Sequence, residues 1–213
     1  FVFIVFTSFA AFGQNEQSPV VEKDVIYKDW SYKNIRSGES TNLRDLTKGK
    51  KLIMVVYFAA WCPNWKHDAP MVEKLYEKYK AAGIEVIGVS EYDTVDATKA
   101  NLDSLKITFL VVTESEARTD RLTTTHYQIR TSTGDTRKWG SPWYIFLEPK
   151  KLEKKGDVLV NKAKVINGEI VEMDVDKMIA EKLGVPASKT AVAKKTPDVV
   201  CDPDADATTL KKP

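Results

Sequence analysis

The sequence predicts an α/β fold in which a central mixed β-sheet is flanked by helices on both faces. Residues 52–58 and 84–89 are nearly unbroken apolar runs, and such runs are typical of strands that are covered on both sides. After Cys62, apolar residues recur every three to four positions, as on one face of a helix. Strands that alternate with helices favour a sheet that helices cover.

The other elements follow from local apolar patterns and turn signals. Residues 25–43 predict one or two short strands with a turn at 37–40, and residues 43–51 predict a charged turn. Asn167-Gly168 is a strong β-hairpin signal within residues 158–171. In chain order, the remaining predictions are a helix from Cys62 to Gly83, a helix over 95–105, a strand over 109–112, a weaker helix over 117–129, a strand over 143–147 and a helix over 175–183.

Composition limits the classes of function. The chain has 213 residues, 43% of them hydrophobic, which is enough for one ordinary domain core. Its 32 basic and 30 acidic side chains leave a formal charge of +2, and both signs are mixed along the chain. This balance disfavours nucleic acid and acidic membrane surfaces as partners.

The ends of the chain predict export and a tail. Residues 1–13 are apolar except for Thr7 and Ser8, which is typical of the apolar part of a signal peptide that begins before this segment. Cleavage before Gln14 would release the protein into an oxidising compartment such as the bacterial periplasm, whereas an uncleaved segment would anchor it to the membrane. Residues 14–24 are then a flexible segment, 25–186 the folded domain, and 187–213 a disordered tail that contains Cys201.

The run 58–65 joins the end of a predicted strand to the start of a helix around Cys62. The unpaired N–H groups of a helix start favour a thiolate, which is the reactive form in disulfide exchange. Pro63 suits the first helical position because it has no N–H group to lose. The alternative is a buried, inert cysteine that packs as a small apolar residue.

These residues resemble the thioredoxin-like superfamily, in particular its exported TlpA/ResA-type thiol–disulfide oxidoreductases. The resemblance lies in Ala59, Trp61 and Cys62, in Pro70 within the helix, and in the Gly140-Ser141-Pro142 loop. It implies the thioredoxin-like fold for 25–186. It also implies a cis Ser141–Pro142 bond near Cys62, and a substrate surface formed by Trp61, Pro63, Trp65, Ser141 and Pro142.

The sequence departs from that family at Trp65, where members carry the second cysteine of the CxxC motif. Without that thiol, attack by Cys62 on a disulfide would leave a covalent complex. A small thiol, a partner protein or Cys201 would have to resolve it. A flexible tail between the domain and Cys201 has a mean reach of roughly 20–25 Å, so a Cys62–Cys201 pair is possible; the alternative is an unpaired thiol.

Asp68 is the predicted catalytic acid or base, provided that it lies buried beneath Cys62. The alternative is a solvated helix residue, because six positions along an ideal helix turn Asp68 off the Cys62 face. A metal pair of Cys62 and His67 is not expected, since a closed zinc site needs four ligands. Four tryptophans could form a rim around the thiol or pack in the core: Trp61, Trp65, Trp139 and Trp143.

Two functions remain open at this point. One is a thiol–disulfide oxidoreductase without a cofactor, which acts on protein thiols or disulfides and is served by a partner reductase or a small thiol. The other is an inactive thioredoxin-fold module that binds peptides or proteins, since Trp65 interrupts the motif. A peroxiredoxin is disfavoured, because Ala59 stands where that family needs a hydroxyl side chain.

Overall fold

A computed structural model describes residues 16–187 and Cys201. The predicted signal peptide, the residues around Gln14 and most of the predicted tail lie outside the described residues. Within the described part of the chain, no helix is both long enough and apolar enough to cross a bilayer.

The described chain forms ten strands and five α-helices. The strands are β1 (Gln17–Ser18), β2 (Val21–Lys28), β3 (Ser31–Asn34), β4 (Ser40–Asn42), β5 (Leu52–Phe58), β6 (Ile84–Ser90), β7 (Leu110–Thr113), β8 (Trp143–Leu147), β9 (Val158–Ile166) and β10 (Glu169–Ile170). The helices are α1 (Leu43–Leu46), α2 (Pro63–Tyr79), α3 (Val95–Ser104), α4 (Thr125–Ser132) and α5 (Glu172–Leu183). Short 3-10 turns lie at Lys80–Ala82, Arg118–Leu122 and Pro149–Lys151.

Eight of these strands form one mixed sheet in the order β2-β9-β8-β5-β6-β7-β3-β4. The central pairs β5–β6 and β6–β7 are parallel, whereas β8 runs antiparallel to both β5 and β9. All seven residues of β5 are buried, as its unbroken apolar run predicts. The predicted mixed sheet is therefore confirmed, with β5 near its centre.

Helices cover both faces of the sheet because successive residues of a strand point to opposite sides. Met54, Val56 and Phe58 of β5 share one apolar cluster with α2, α3 and α5. Ile53, Val55 and Tyr57 share the other cluster with residues of α1 and α4. The end of β5 thus lies between two packed layers, which fixes the position of the segment that follows it.

Three predictions differ from the structure. Residues 14–24 are predicted to be a flexible segment, but from residue 16 onward they contribute β1 and the start of β2. The predicted helix over 117–129 is a 3-10 turn followed by α4, because the Thr124 side chain accepts a hydrogen bond from Tyr127 N and starts a new helix there. The predicted hairpin at Asn167-Gly168 is wrong: β10 pairs in parallel with β1 and not with β9. The turn propensity of Asn167-Gly168 is a local property, so it does not specify which strand pairs with β10.

Gly168 is needed where β1 meets β10. A Cβ atom at this position would overlap the carbonyl oxygen of Glu16, which accepts a hydrogen bond from Glu169 N at 2.9 Å. The absence of a side chain therefore allows the N-terminal strand to approach the body of the domain.

We predict that Gly168→Ala lowers the free energy of unfolding by about 1–3 kcal/mol, because the added methyl group must displace β1. Urea denaturation of the full chain measures the loss. The same substitution in a chain that starts at residue 19 should be nearly neutral. An equal loss in both backgrounds would show that the contact with Glu16 is not the cause.

Candidate active site

Cys62 lies at the junction between β5 and α2. It occupies the N-cap position of α2 with an extended backbone, and Pro63 is the first helical residue. No side chain caps this helix end, so the first-turn N–H groups remain available to a negative charge at the N-terminus. The junction therefore has the backbone arrangement that favours a cysteine thiolate.

Cys201 lies against Cys62 although 139 residues separate them in the sequence. The two form a disulfide with their Cα atoms 5.1 Å apart, which is an ordinary span for this bond. Cys201 is only 6% exposed and belongs to the same apolar cluster as Cys62. The structure thus joins Cys62 to a cysteine from the far end of the chain.

Both sulfurs lie at the carbonyl oxygen of Ser141, Cys62 Sγ at 3.3 Å and Cys201 Sγ at 3.2 Å. The Ser141–Pro142 peptide bond is cis. Ser141 Oγ accepts a hydrogen bond of 2.9 Å from Ala59 N, just beyond the end of β5. The loop before β8 is therefore tied to the segment that carries Cys62, and its carbonyl group faces both sulfurs.

A buried arginine holds the start of this loop. Arg130 is fully buried on α4 and donates to the carbonyl oxygens of Arg137 at 2.8 Å and Lys138 at 3.2 Å. Gly140, with φ +59°, packs so close to Arg130 that a Cβ atom would overlap the guanidinium group. The backbone of the loop thus wraps around one cation.

A second arginine holds the end of the loop beside the sulfurs. Arg137 donates to Pro142 O at 2.8 Å and to Ser141 O at 3.5 Å, and it pairs with Asp135 at 2.7 Å. Burial works to lower its pKa, but the neighbouring carboxylates of Asp135 and Glu16 outweigh this and raise the pKa, so Arg137 remains a cation. The carbonyl oxygen between the two cysteines is therefore also in contact with a fixed positive charge.

Glu16 connects the N-terminal strand to both sides of the site. Its Oε2 accepts a hydrogen bond from Asn64 Nδ2 at 2.6 Å and forms an ion pair with Arg137 at 3.0 Å. Asn64 is the second residue of α2, two positions after Cys62. The N-terminal segment therefore bridges the start of the helix and the loop.

Asp68 is buried, and the interpretation of it as a solvated helix acid is wrong. Its side chain is inaccessible to solvent, and its Oδ2 accepts hydrogen bonds from Tyr144 Oη at 2.5 Å and from Ile170 N at 2.9 Å. Burial raises its pKa, while the hydrogen bonds partly oppose this shift. Asp68 is thus a buried carboxyl group with a perturbed proton affinity on the helix that begins at Cys62.

Glu169 and His67 extend this cluster. His67 Nδ1 lies 3.4 Å from Asp68 Oδ1 and 3.8 Å from Glu169 Oε1. Burial and the charge of Asp68 raise the pKa of Glu169 to about 7. One ligand atom from each residue lies within 4.8 Å of the others, but three ligands fall short of the four in a closed zinc site.

Trp65 packs in the core and not at the surface. It is fully buried, its ring stacks on Phe58 with centroids 4.0 Å apart, and its Nε1 donates to Asn101 Oδ1 at 3.1 Å. The structure therefore corrects the expectation that this indole would contact a substrate. A large apolar side chain occupies the position where the second cysteine would stand.

The predicted tryptophan rim is reduced to two members. Trp61 is half-buried beside Cys62, and its ring meets Trp139 edge-on with centroids 5.2 Å apart. Trp143 is instead buried in the core on the other face of the sheet, where it packs against Tyr57. Trp61 and the exposed Pro63 are therefore the predicted substrate-binding residues that reach the surface next to Cys62.

A family model described as the AhpC/TSA family matches residues 26–168, which is more than half of the chain. The chain belongs to the AhpC/TSA family. Thioredoxin-2 of Saccharomyces cerevisiae is 42% identical to it over 60 residues, which make up 28% of this chain and 57% of that protein. The thiol-disulfide oxidoreductase ResA of Halalkalibacterium halodurans is 32% identical over 75 residues, or 35% of this chain and 42% of that protein. The chain thus spans about half the length of the curated relatives it matches.

Solved structures show the same fold as this AhpC/TSA-family chain. A secreted Mycobacterium tuberculosis disulfide oxidoreductase, described as homologous to E. coli DsbE, has a TM-score of 0.51 at 12% identity, covering 71% of this chain and 95% of that one. A thiol:disulfide interchange protein from Chlorobium tepidum has a TM-score of 0.53 at 20% identity, covering 76% and 98%. The predicted thioredoxin-like fold and the resemblance to ResA-type proteins are confirmed.

Several residues at this site of the AhpC/TSA-family chain are not evident from the sequence. They are Glu16, Arg130, Arg137, Tyr144 and Glu169. None stands in a recognisable motif, and each reaches the site from a different element. The sequence offers a signal for two of them only. Arg130 and Arg137 lie on either side of Asp135, shortly before Pro142, which would place two cations and a carboxylate near the proline loop.

We predict that Glu169 lowers the stability of the fold as the pH rises. A carboxyl group whose folded pKa exceeds its unfolded value stabilises the fold below the unfolded pKa, and this contribution is lost as the pH passes the folded pKa. The free energy of unfolding should therefore fall between about pH 4.5 and 7, by about 1–2 kcal/mol after allowance for solvent screening.

Urea denaturation across this range compares the wild type with Glu169→Gln, which should lack that part of the slope. Glu153→Gln, at an exposed position, is the control and should retain the slope. Equal slopes in the wild type and Glu169→Gln would contradict the prediction.

Proposed function

We propose that this protein is a thiol–disulfide oxidoreductase in which Cys62 attacks the substrate and Cys201 replaces the missing second cysteine of the motif. The observation that carries the proposal is the pairing of Cys201 with Cys62 at the Ser141 carbonyl group. The names of the ResA relatives support the class of reaction.

The reaction starts from the reduced pair. The Cys62 thiolate attacks one sulfur of a substrate disulfide, so that a bond forms between Cys62 and that sulfur while the substrate S–S bond breaks. The other substrate sulfur leaves as a thiolate and takes up a proton. The available N–H groups at the start of α2 stabilise the attacking thiolate.

The second step releases the substrate. The Cys201 thiolate attacks Cys62 Sγ in the mixed disulfide, which forms the Cys62–Cys201 bond and expels the second substrate thiolate. The substrate disulfide has then gained two electrons and the protein pair has lost two. A partner reductase or a small thiol returns the pair to the dithiol, and the reverse sequence oxidises a substrate dithiol.

Asp68 is the proposed proton acceptor for the attacking thiol. Its buried carboxyl group has a raised pKa, which brings its proton affinity closer to that of a thiol. Tyr144 Oη and Ile170 N hold the carboxylate in one orientation. We propose that the proton moves from the thiol to this carboxylate through a bridging water molecule.

The proposed substrate surface surrounds the thiol. Ser141 O lies 3.3 Å from Cys62 Sγ, Pro142 follows it in the same buried loop, and Trp61 and Pro63 reach the surface next to Cys62. An extended peptide that offers its cysteine to Cys62 would take the place that Cys201 holds in the disulfide. The proposed substrates are therefore protein thiols or disulfides in segments that can extend across this loop.

Export is part of the proposal. The apolar run at residues 1–13 is the supporting feature in the sequence, and one fold neighbour is described as secreted. A stable Cys62–Cys201 bond suits an oxidising compartment such as a periplasm.

The second candidate is a binding module without turnover, which the burial of Trp65 at the position of the second cysteine favours. A peroxidase remains disfavoured because Ala59 has no hydroxyl group to position a peroxide. The two candidates differ in how many thiols of the site take part in disulfide exchange.

We predict that the reduced wild type releases two equivalents of thiolate per chain from an aromatic disulfide whose product is coloured. Cys201→Ser should release one equivalent and retain the other half as a covalent adduct, because nothing displaces it. Cys62→Ser should react at least about tenfold more slowly, since it lacks the thiolate that the start of α2 stabilises.

Absorbance gives the stoichiometry and intact mass gives the adduct. A wild type that stops at one equivalent, or a Cys201→Ser variant that releases two, would overturn the role of Cys201. Equal rates for both single-cysteine variants would overturn the role of Cys62.

Asp68→Asn should slow the alkylation of Cys62 by about tenfold or more, because the proton acceptor is lost. The pH–rate profile of the reduced protein should lose the inflection due to Asp68 while Asp68→Glu retains one. Asp176→Asn removes another buried carboxyl group, one that pairs with Lys78 on the α5 side of the domain, and should leave the profile unchanged. A profile unaltered by Asp68→Asn would refute the proton-transfer role.

A further inference from the structure

We propose that His67, Asp68 and Glu169 form a binding site for one divalent transition-metal ion, with Zn²⁺ as the favoured occupant. His67 and Asp68 lie on α2, the helix that begins next to Cys62, and Glu169 lies on β10. The site is open, with three protein ligands and one position for water. It does not depend on the pairing of the two cysteines.

The three side chains bring their ligand atoms close together. His67 Nδ1 lies 3.4 Å from Asp68 Oδ1 and 3.8 Å from Glu169 Oε1, and one ligand atom from each residue lies within 4.8 Å of the others. Ligand atoms around a tetrahedral zinc ion are roughly 3.3–3.4 Å apart, since each bond is about 2.0–2.1 Å long. The cluster therefore needs only a small movement of the Glu169 carboxylate to enclose an ion.

A second, independent observation is the state of the Asp68 carboxylate. Asp68 is inaccessible to solvent, and its Oδ2 accepts hydrogen bonds from Tyr144 Oη and Ile170 N. Its Oδ1 is also buried, yet it accepts no hydrogen bond of normal geometry from the described residues. Buried polar atoms are normally satisfied, and this oxygen is the one that faces His67. It therefore points to a ligand at the centre of the cluster.

His67 supplies the nitrogen ligand and the route of entry. Its side chain is 26% exposed, whereas the side chains of Asp68 and Glu169 are almost completely buried, so an ion can enter from the side of the imidazole. Only the Nδ1 atom takes part in the site. A hydrogen bond from the other ring nitrogen is compatible with this role, because histidines that bind metals commonly make one.

The surrounding contacts hold the two carboxylates in position. Tyr144 Oη and Ile170 N orient the Asp68 carboxylate through Oδ2 and leave Oδ1 directed at the cluster. The bond from Ile170 N also joins β10 to α2, and Glu169 N donates to Glu16 O at 2.9 Å. Ligands that are held by hydrogen bonds on regular elements keep the geometry a metal requires.

The donor set determines the class of ion. An imidazole nitrogen favours Zn²⁺ and related transition metals, whereas Mg²⁺ and Ca²⁺ prefer a shell of six or more oxygen atoms. The two carboxylates balance the charge of a divalent cation. Three protein ligands leave a fourth position to water, as in zinc sites that are not closed.

A bound ion has a consequence for the attacking thiol. It occupies the carboxylate that serves as proton acceptor in the proposed reaction, so Zn²⁺ and the thiol proton compete for Asp68. The metal-loaded protein therefore activates Cys62 more slowly. This consequence rests on the proposed role of Asp68, whereas the metal site itself does not.

The test of the site is a calorimetric titration of the untagged full chain with zinc chloride. The chain is oxidised so that the Cys62–Cys201 disulfide withholds both sulfurs from zinc, and the titration is repeated with Cys62→Ser combined with Cys201→Ser. We expect one zinc ion per chain in both forms. Excess zinc should also raise the Tm, because the ion binds the folded state.

His67→Gln and Glu169→Gln should each weaken zinc binding by at least about tenfold, because each removes one ligand. Tyr144→Phe keeps all three ligands and should weaken it less. Glu153→Gln changes the charge equally at an exposed position elsewhere and should bind zinc as the wild type does. Far-ultraviolet circular dichroism checks that each variant is folded.

A wild type that binds no zinc, or binding that survives both His67→Gln and Glu169→Gln, would overturn the site. An equal loss in Glu153→Gln would overturn it as well, since a general effect of charge would then explain the loss.

The consequence for Cys62 is measured as the alkylation rate of the reduced protein in zinc and in a chelator. Zinc should slow the wild type by about threefold or more, and it should leave Glu169→Gln unaffected because that variant lacks the site. Equal slowing of both proteins would show that zinc acts at the thiols and would overturn the competition for Asp68. The titration of the oxidised protein decides the metal site separately, so the two failures are distinguishable.

Discussion

The geometry of the site depends on the carbonyl oxygen of Ser141, because both sulfurs, the end of β5 and the loop before β8 meet there. Two arginines hold that carbonyl group in place. Arg130 binds the start of the loop from within the core, and Arg137 binds its end. A buried cation must find several acceptors, and here backbone carbonyl groups supply them. The loop is thus ordered by the need to satisfy two guanidinium groups.

This arrangement joins three distant parts of the chain. Glu16 arrives from the residue just before β1, Asn64 from the first turn of α2 and Arg137 from the loop, and they form one connected set of polar contacts. Cys201 adds a fourth part from the C-terminal end. A change in any of these segments therefore acts on the same small volume around Cys62, although each segment alone has an unremarkable sequence.

Trp65 shows how one substitution redistributes the chemistry of a fold. The indole fills the space under the start of α2 and stacks on Phe58, so it stabilises the layer that positions Cys62. In the proposed exchange reaction, the second thiol comes from outside the helix. A sulfur on a distant segment can be withdrawn or delivered, whereas a sulfur within the motif is always present, and exchange at such a site becomes dependent on what holds the segment in place.

The sequence by itself determined the layers of the fold and the place of Cys62. Unbroken apolar runs, helical spacing and the Trp61-Cys62-Pro63 junction are local signals, and local hydrogen bonding and side-chain burial suffice to express them. Only the tertiary structure decided that Asp68 is buried, that Trp65 belongs to the core, that β10 pairs with β1, and that Arg130, Arg137 and Glu16 surround the loop. These features depend on contacts between residues far apart in the chain, and no local pattern encodes which distant partner will fill a given space.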